Sequence, residues 1–206
     1  MDIIFATGNE HKMHEIRMIL SGLTINNEEV KIYSMKEKGI KADIVEDGKT
    51  FLENATIKAR AVSALAPGAL VMADDSGLEV DYINKEPGIY SARYLGEDTS
   101  YRIKNANIIE RLKDAEGEER SARFVCAIAT ALPSGEIISA VETMEGRIAT
   151  EERGANGFGY DPIFLVPPYE VTSAELSEED KNAISHRGKA LRTTRKLLEE
   201  YYSKNQ

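Results

Sequence analysis

The chain has 206 residues, of which 42% are hydrophobic and 30% are charged, a balance typical of a globular protein and not of a disordered or fibrous one. Its 26 basic and 35 acidic residues give a net charge of −9, which argues against a protein that coats DNA or an anionic membrane. A single cysteine, Cys126, excludes an internal disulfide and a zinc site built from cysteines, and its apolar neighbours indicate a buried structural thiol.

The length and the segment pattern also bound the architecture. At roughly 100–200 residues per domain, the chain predicts a single domain over residues 1–206. No apolar run approaches the roughly 20 residues of a membrane-spanning helix, and the first residues lack the pattern of a signal peptide. We therefore expect a cytoplasmic protein.

Predicted strands and helices are interspersed along the chain. Apolar runs bounded by turn signals predict strands, and apolar residues repeated every three to four positions predict helices. In chain order the pattern predicts a strand over 2–6, helices over 12–20 and 50–66, a strand over 69–73, a helix over 99–112, strands over 124–132 and 137–145, and a helix over 188–202. Connections both through helices and by a hairpin indicate an α/β protein with a mixed sheet flanked by helices.

Several boundaries carry specific predictions. Thr50 is expected to cap the second helix, with Glu53 as the reciprocal partner of a capping box. The second strand is expected to end abruptly at Asp74, because polar residues and a glycine follow it. The charged run over 113–120 predicts a solvated loop.

The turn Thr7-Gly8-Asn9, followed by Lys12, is the first candidate site. A strand that enters a helix through a glycine turn presents backbone N–H groups and the positive end of the helix dipole, which suits phosphate. Gly8 lets a ligand approach the backbone closely, and Lys12 adds a cation one turn on. An ordinary turn with a surface lysine is the alternative, since the spacing is not that of a P-loop.

Two adjacent carboxylates, Asp74 and Asp75, directly follow an apolar run and form the second candidate site. Burying them is costly unless something compensates their charge. Mg²⁺ prefers oxygen ligands and usually takes one or two carboxylates together with substrate phosphates. We expect one of the two to bind metal or orient a water while Ser76 contacts the ligand; a helix cap or an Asx turn is the alternative.

A polar loop and the helix after it hold the third candidate. Glu46, with Asp47 beside it, lies in the loop, and Asn54 and Lys58 share a face of the helix. Lys58 is expected either to point at phosphate or to pair with a neighbouring acid.

Two groups near the end of the chain suit recognition of a base. The run Gly157–Pro162 combines flexible backbone, two aromatic rings and an aspartate, which suits stacking on a base; a packed turn is the alternative. Ser185-His186-Arg187, with Lys181 upstream, offers donors to a phosphate or a carbonyl. Together the sites indicate a purine or similar nucleotide, held by its phosphates and by its base, with Mg²⁺ between.

Six motifs in this order resemble those of one known family. They are Thr7-Gly8-Asn9-x-x-Lys12, Thr50-Phe51-x-Glu53-Asn54-Ala55-x-x-Lys58-Ala59, Ala73-Asp74-Asp75-Ser76-Gly77-Leu78, Pro87-Gly88-x-x-Ser91-Ala92-Arg93-Tyr94, Gly157-Phe158-Gly159-Tyr160-Asp161-Pro162 and Ser185-His186-Arg187-x-x-Ala190-Leu191. From about residue 3 to residue 198 the chain resembles the inosine/xanthosine triphosphate pyrophosphatases. Any one motif is weak, but six in order are specific.

The resemblance implies a fold and a reaction. The fold is an elongated, two-lobed α/β protein with a central mixed sheet and an active-site cleft between the lobes, assembled as a homodimer. The reaction is Mg²⁺-dependent hydrolysis of ITP, dITP and XTP to the monophosphate and pyrophosphate, which cleanses the nucleotide pool. No nucleic acid polymer and no membrane is implied as a partner.

The resemblance also implies roles for individual residues. Asp75 would activate water as proton acceptor and bind metal, Glu46 would be the other metal ligand, and Lys58 would neutralise phosphate charge. The residues that would bind substrate are Thr7, Gly8, Asn9, Glu10, His11 and Lys12 for the phosphates, together with Ser76, Phe158, Gly159, Tyr160, Asp161, Lys181, His186 and Arg187, of which the aromatic stretch and the His-Arg pair would face the base.

Three other functions stay open from the sequence. The chain could be a pyrophosphatase for other modified nucleotides, such as pyrimidines, which a substrate panel would distinguish. It could be a nucleotide-binding regulator without catalysis, although the joint presence of Asp75, Glu46 and Lys58 argues against this. It could also be a phosphatase with Asp74 or Asp75 as nucleophile, which would release phosphate instead of pyrophosphate.

Overall fold

The structure is a computed structural model that describes residues 2–25, 28–167 and 169–204. Helices and strands are interspersed over these residues, and short 3₁₀ turns connect several of them. The helices are α1 (Glu10–Ile19), α2 (Phe51–Leu65), α3 (Tyr101–Arg111), α4 (Glu178–Ile184) and α5 (His186–Lys204). The strands are β1 (Asp2–Phe5), β2 (Thr24–Ile25), β3 (Glu28–Glu29), β4 (Lys31–Ser34), β5 (Leu70–Val80), β6 (Ser121–Ala131), β7 (Ile137–Ile148), β8 (Phe164–Val166) and β9 (Val171–Thr172).

Seven of the strands form one sheet in the order β4-β1-β5-β6-β7-β8-β9, and β2 pairs with β3 separately. The strand β1 is parallel to both β4 and β5, whereas β8 is antiparallel to both β7 and β9. The turn after β6 leads directly into its neighbour β7, as the predicted hairpin requires. The predicted class, an α/β protein with a mixed sheet and flanking helices, is confirmed.

The chain divides into two compact units, each built from separate stretches of sequence. Unit 1 takes in the chain up to Asp75, then Cys126–Glu142, and then the chain from Arg187 on. Unit 2 takes in Ser76–Val125 and Thr143–His186. Each unit has its own apolar core, so each has its own source of stability.

The core of unit 1 packs helices α1 and α5 against the sheet. Ile3, Phe5 and Met72 from the strands meet Ile16 of α1 and Leu191 of α5, all buried. Cys126 belongs to the same core and is completely buried, and this burial raises its pKa to about 12. The prediction of a buried structural thiol is confirmed.

The second predicted strand does not end at Asp74. Strand β5 continues for another six residues to Val80, because Leu78 and Val80 are buried in the core of unit 2 and keep the strand in the sheet. Asp74 and Asp75 therefore lie inside a strand and not in a turn. The alternative of a helix cap or an Asx turn is wrong at this position.

The helix over 50–66 forms as predicted, but its cap differs in one contact. The Thr50 hydroxyl accepts a hydrogen bond from the Glu53 backbone N–H at 3.1 Å, as expected of an N-cap. The Glu53 carboxylate accepts from the backbone N–H of Lys49 and not from that of Thr50. The expected reciprocal contact of a capping box is therefore replaced by a bond one residue earlier.

The charged run over 113–120 is not simply a solvated loop. Its last four residues, Gly117–Arg120, form a 3₁₀ turn, and Arg120 is buried. The Arg120 guanidinium ties the end of α3 to the end of β7, because it donates to four backbone carbonyls at 2.6–3.2 Å, those of Leu112, Ala115, Ile148 and Ala149. This contact could not be predicted from composition, because Arg120 is the one buried charged residue in a run whose other charged residues are exposed.

The part of the chain that the structure describes contains no helix that is both long enough and apolar enough to cross a membrane.

Candidate active site

The loop after β1 forms a capped helix start. The Thr7 hydroxyl accepts a hydrogen bond from the Asn9 backbone N–H, and the Asn9 side chain accepts from the Lys12 backbone N–H, both at 3.1 Å. An added Cβ at Gly8 would meet no atom within 4 Å, so the loop leaves open space at this glycine. Glu10 and His11 are exposed on the first turn of α1.

Asp74 and Asp75 are adjacent in sequence but have different partners. Successive side chains of a strand point to opposite faces of the sheet, which separates the two carboxylates. Asp74 is paired with Lys12 of α1 at 2.9 Å and with Arg187 of α5 at 3.3 Å, whereas Asp75 contacts residues of α2. The sequence pattern of two neighbouring acids thus becomes two separate sites.

The Asp74 site is a buried network of charges. Arg187 is 3% exposed and donates to Glu15 as well as to Asp74. Burial alone would raise the pKa of Asp74, but the charges of Lys12 and Arg187 hold that pKa below its ordinary value. Asp74 is therefore a fixed anion that anchors Lys12 beside the loop after β1.

The Asp75 site brings together the three residues expected to be catalytic. The Lys58 ammonium lies 2.8 Å from Oε2 of Glu46 and 3.4 Å from Oδ1 of Asp75. The buried amide of Asn54 donates to the other oxygen of Asp75, Oδ2, at 3.2 Å. Lys58 thus links two carboxylates that lie 29 positions apart in the chain.

The electrostatics of this site favour a charged lysine and a basic aspartate. Burial raises the pKa of Asp75 above its ordinary value, although the charges of Lys58 and Lys12 partly oppose that increase. Burial would lower the pKa of Lys58, but the nearby acids, Asp75 foremost, raise it on balance. A carboxylate with a raised pKa is a stronger base than an exposed one, which suits proton abstraction.

The donor chemistry of Asp75 and Glu46 fits a magnesium ion. Both supply the oxygen ligands that Mg²⁺ prefers, and two carboxylates plus substrate phosphates are a usual set. Over the described ranges, no three His, Cys, Asp or Glu side chains are grouped to hold a metal by themselves.

In unit 2, the residues around Phe158 that are expected to bind the base form a loop held by hydrogen bonds to the Asp161 side chain. Asp161 is 3% exposed, and its Oδ2 accepts from the Phe158 backbone N–H and from Lys181 of α4, both at 2.8 Å. The Lys181 ammonium also lies 5.1 Å from the centre of the Phe158 ring. A Cβ at Gly157 would come within 2.2 Å of the Asp161 carboxylate, so glycine is required here.

The other residues of unit 2 that were predicted to bind substrate differ in their burial and contacts. Tyr160 is a core residue, since its ring packs edge-on against Tyr101 and its hydroxyl donates to the Ser91 carbonyl. His186 is buried, with its ring stacked 4.9 Å from that of Phe124. Ser76 is half-buried on β5, next to Asp75 in sequence. The packed-turn alternative therefore describes Tyr160 but not the whole loop.

Two structural residues were missed from the sequence. Glu15 is the second partner of Arg187, and Asn105 of α3 donates to the Gly159 carbonyl at 3.3 Å. Glu15 lies three residues after Lys12, one helical turn on, so the helical period could have placed it near the same site. Asn105 carries no such signal, because its contact joins residues 54 positions apart.

Comparisons with known proteins extend over nearly the whole chain. A family model described as the Ham1 family matches residues 3–197. The dITP/XTP pyrophosphatase of Exiguobacterium sibiricum is 46% identical over 192 residues, which cover 93% of this chain and 94% of that relative. The dITP/XTP pyrophosphatase of Clostridium perfringens is 47% identical over 193 residues, which cover 91% and 92%.

The fold has a solved counterpart. The structure of a HAM1 protein from Coxiella burnetii matches with a TM-score of 0.85 and 40% identity, covering 97% of this chain and 99% of that one. Sequence and fold thus agree over the same stretch.

Proposed function

The chain belongs to the Ham1 family, and on that premise we propose that it hydrolyses non-standard purine nucleoside triphosphates to the monophosphate and pyrophosphate. The proposed substrates are ITP, dITP and XTP, and the proposed metal is Mg²⁺. The names of the relatives, dITP/XTP pyrophosphatase, support the substrate class.

The observation that carries the proposal is the Asp75 carboxylate between Asn54 and Lys58. Asp75 is nearly buried, its pKa is raised by burial, and both its oxygens accept from fixed donors. In the proposed reaction Asp75 takes a proton from water while the water oxygen bonds to the α-phosphorus. The bond from that phosphorus to the bridging oxygen of the β-phosphate breaks, and pyrophosphate leaves.

The charges of unit 1 match a triphosphate. Lys12 stands beside the start of α1, where the helix dipole is positive, and Asp74 fixes its ammonium. Lys58 keeps its charge next to Asp75, so it stabilises negative charge that develops on phosphate oxygens. A bound Mg²⁺ supplies further neutralisation of those oxygens, and Asp75 and Glu46 are the residues that would hold it.

The base is assigned to residues of unit 2. The Phe158 ring offers a face for stacking, and Lys181 is a donor suited to the 6-oxo group of inosine and xanthosine. Adenine carries an amino group at this position, which donates and cannot accept from Lys181, and the loss of a hydrogen bond to a charged group costs roughly 1.5–3 kcal/mol. This assignment of residues would favour 6-oxo purines over adenine.

A product assay tests the proposal. Pyrophosphate release is measured from ITP, XTP, dITP, GTP and ATP with Mg²⁺, each with an EDTA control. We expect metal-dependent pyrophosphate from the first three, with ATP slower by about 10–100-fold. Release of inorganic phosphate through an aspartyl-phosphate would instead support the phosphatase alternative, and no product from a folded sample would support modified pyrimidines or binding alone.

The proposal extends to the setting of the enzyme. We propose a cytoplasmic homodimer that acts on free nucleotides and binds neither a nucleic acid polymer nor a membrane. The net charge of −9 supports this proposal, because an acidic protein is repelled by the negative charge of nucleic acid polymers and anionic membranes.

A further inference from the structure

Asn54 makes two contacts that join the parts of the Asp75 site. Its Nδ2 donates to Oδ2 of Asp75 at 3.2 Å, and its Oδ1 accepts from the Gly48 backbone N–H at 2.9 Å. Gly48 lies two residues after Glu46, on the same loop. A single side chain therefore touches both the strand that carries Asp75 and the loop that carries Glu46.

The orientation of the Asn54 amide is fixed by chemistry. The Gly48 N–H can only donate, so the amide atom that faces it must be the oxygen. The nitrogen then faces Asp75, and it can only donate to a carboxylate oxygen. The amide cannot turn over without breaking both bonds, and Asn54 is 1% exposed, so water does not replace them readily.

The Asn54 contact is also the tighter of the two that orient Asp75. Lys58 lies 3.4 Å from Asp75 and is shared with Glu46 at 2.8 Å, whereas Asn54 lies at 3.2 Å. The terminal torsion of an aspartate is broad, so a carboxylate without such a contact turns easily. Asn54 therefore restricts the direction of the oxygen that faces Lys58.

Gly48 shows that the loop is pressed closely against Asn54. A Cβ at Gly48 would lie 2.6 Å from Oδ1 of Asn54 and 2.8 Å from Cβ of Glu53. These distances are too short for any real Cβ contact, so only glycine lets the loop approach. The hydrogen bond and the close approach both show that the loop packs directly against the Asn54 side chain.

We infer that Asn54 is a positioning residue that, through Asp75 and Gly48, holds the two carboxylates of the site in their working arrangement. It does not touch substrate; it acts by fixing Asp75 and the Glu46 loop. The inference rests on the proposed function for its kinetic consequence, while its structural consequence does not depend on that function.

Two single variants break this contact from opposite ends. Asn54→Leu removes both hydrogen bonds and keeps the number of non-hydrogen side-chain atoms, and Gly48→Ala pushes the loop and the amide apart without changing Asn54. Each is expected to lower kcat for ITP by about 10–100-fold with KM changed less than threefold. Asn107→Leu is the matched control, since Asn107 accepts a hydrogen bond from the Tyr94 hydroxyl in unit 2 and its loss should leave kcat unchanged.

The double variant separates positioning from general damage. If both substitutions break one contact, Asn54→Leu with Gly48→Ala loses about as much kcat as either alone. If each merely weakens the fold, the two losses multiply. Thermal unfolding of every variant shows whether the protein is folded at the assay temperature, and Asn54→Ser replaces Asn54→Leu if the latter does not fold.

Binding of Mn²⁺ without substrate, measured by electron paramagnetic resonance, tests the inference apart from activity. Both single variants are expected to raise the Mn²⁺ dissociation constant about 10–100-fold, with Asn107→Leu unchanged. A wild-type protein that binds Mn²⁺ but yields no pyrophosphate would refute the proposed function and leave this inference standing. Wild-type Mn²⁺ affinity and kcat in both variants, or losses that multiply, would overturn it.

Discussion

At the scale of single residues, environment and not residue type separates Asp74 from Asp75. Both are aspartates with little exposure, yet the pKa of Asp74 is lowered and that of Asp75 is raised. Asp74 faces Lys12 and Arg187, whose charges outweigh the effect of burial. Asp75 is opposed by fewer cations and lies near a second acid, Glu46, so burial prevails. One aspartate anchors cations and the other is suited to accept a proton.

The assignment of Asp75 as proton acceptor predicts the effect of Asp75→Asn. The amide keeps the shape of the side chain but cannot take a proton from water, so kcat for ITP is expected to fall by about 10²–10⁴-fold. Nucleotide binding is measured separately by calorimetry and should persist, because Lys12 and the start of α1 are unchanged. Turnover within tenfold of the wild type would remove Asp75 from this role.

Arg187 predicts a stability effect larger than that of an exposed arginine. Its guanidinium is buried, so Arg187→Met removes one buried cation from beside both Glu15 and Asp74. We expect a loss of about 3 kcal/mol, or a Tm lower by on the order of 10 °C. The control is Arg195→Met on the same helix, whose exposed pair with Glu199 contributes less than about 1 kcal/mol.

Calorimetry or thermal unfolding of both arginine variants at neutral pH decides this point. Equal Tm values would mean that the buried pairs of Arg187 contribute no more than the surface pair does. The earlier expectation that Arg187 faces the base stays a prediction, and it would be tested in the same variant by comparing KM for ITP and ATP.

At the scale of elements, the sequence predicts those helices and turns that depend on neighbouring residues alone. The helix α2 follows from the Thr50 cap and from apolar residues at helical spacing, and the hairpin of β6 and β7 follows from its turn. The end of β5 could not be predicted in this way. Polar residues after Ala73 indicate a turn locally, but the burial of Leu78 and Val80 in a different core keeps the strand extended.

A prediction at the scale of elements concerns Arg120, which links the end of α3 to the end of β7. Arg120→Met removes a donor from four backbone carbonyls whose residues are all buried, and an unmet buried polar group costs roughly 1–3 kcal/mol. We expect a loss of at least about 3 kcal/mol in the free energy of unfolding by urea. Lys113→Met, which removes an exposed lysine from the same charged run, should change it by less than about 1 kcal/mol. A similar effect in both variants would contradict the buried role of Arg120.

At the scale of the whole molecule, each unit is assembled from stretches that are far apart in the chain. Unit 1 joins the first 75 residues with the last helix, which is why Arg187 meets Asp74 over 113 positions. Local patterns contain no information on such pairs, so Asn105 was missed, whereas the helical period could have placed Glu15 near Lys12. The motif residues, by contrast, were predictable because their types carry the chemistry: glycine for close approach, acids for metal and proton, lysine for phosphate.

The two units also differ in the part of the nucleotide assigned to them, and this predicts different responses to an inhibitor without a base. Lys12→Ala removes a cation from unit 1, so both the KM for ITP and the inhibition constant of inorganic tripolyphosphate should rise about 10–100-fold. Phe158→Leu removes the stacking face in unit 2, so KM for ITP should rise by a similar factor. The inhibition constant of tripolyphosphate should then stay within twofold, because that ligand has no base to lose. If Phe158→Leu weakened tripolyphosphate as much as ITP, the loop of unit 2 would act on the phosphates or on the fold, and the assignment of the base to it would be wrong.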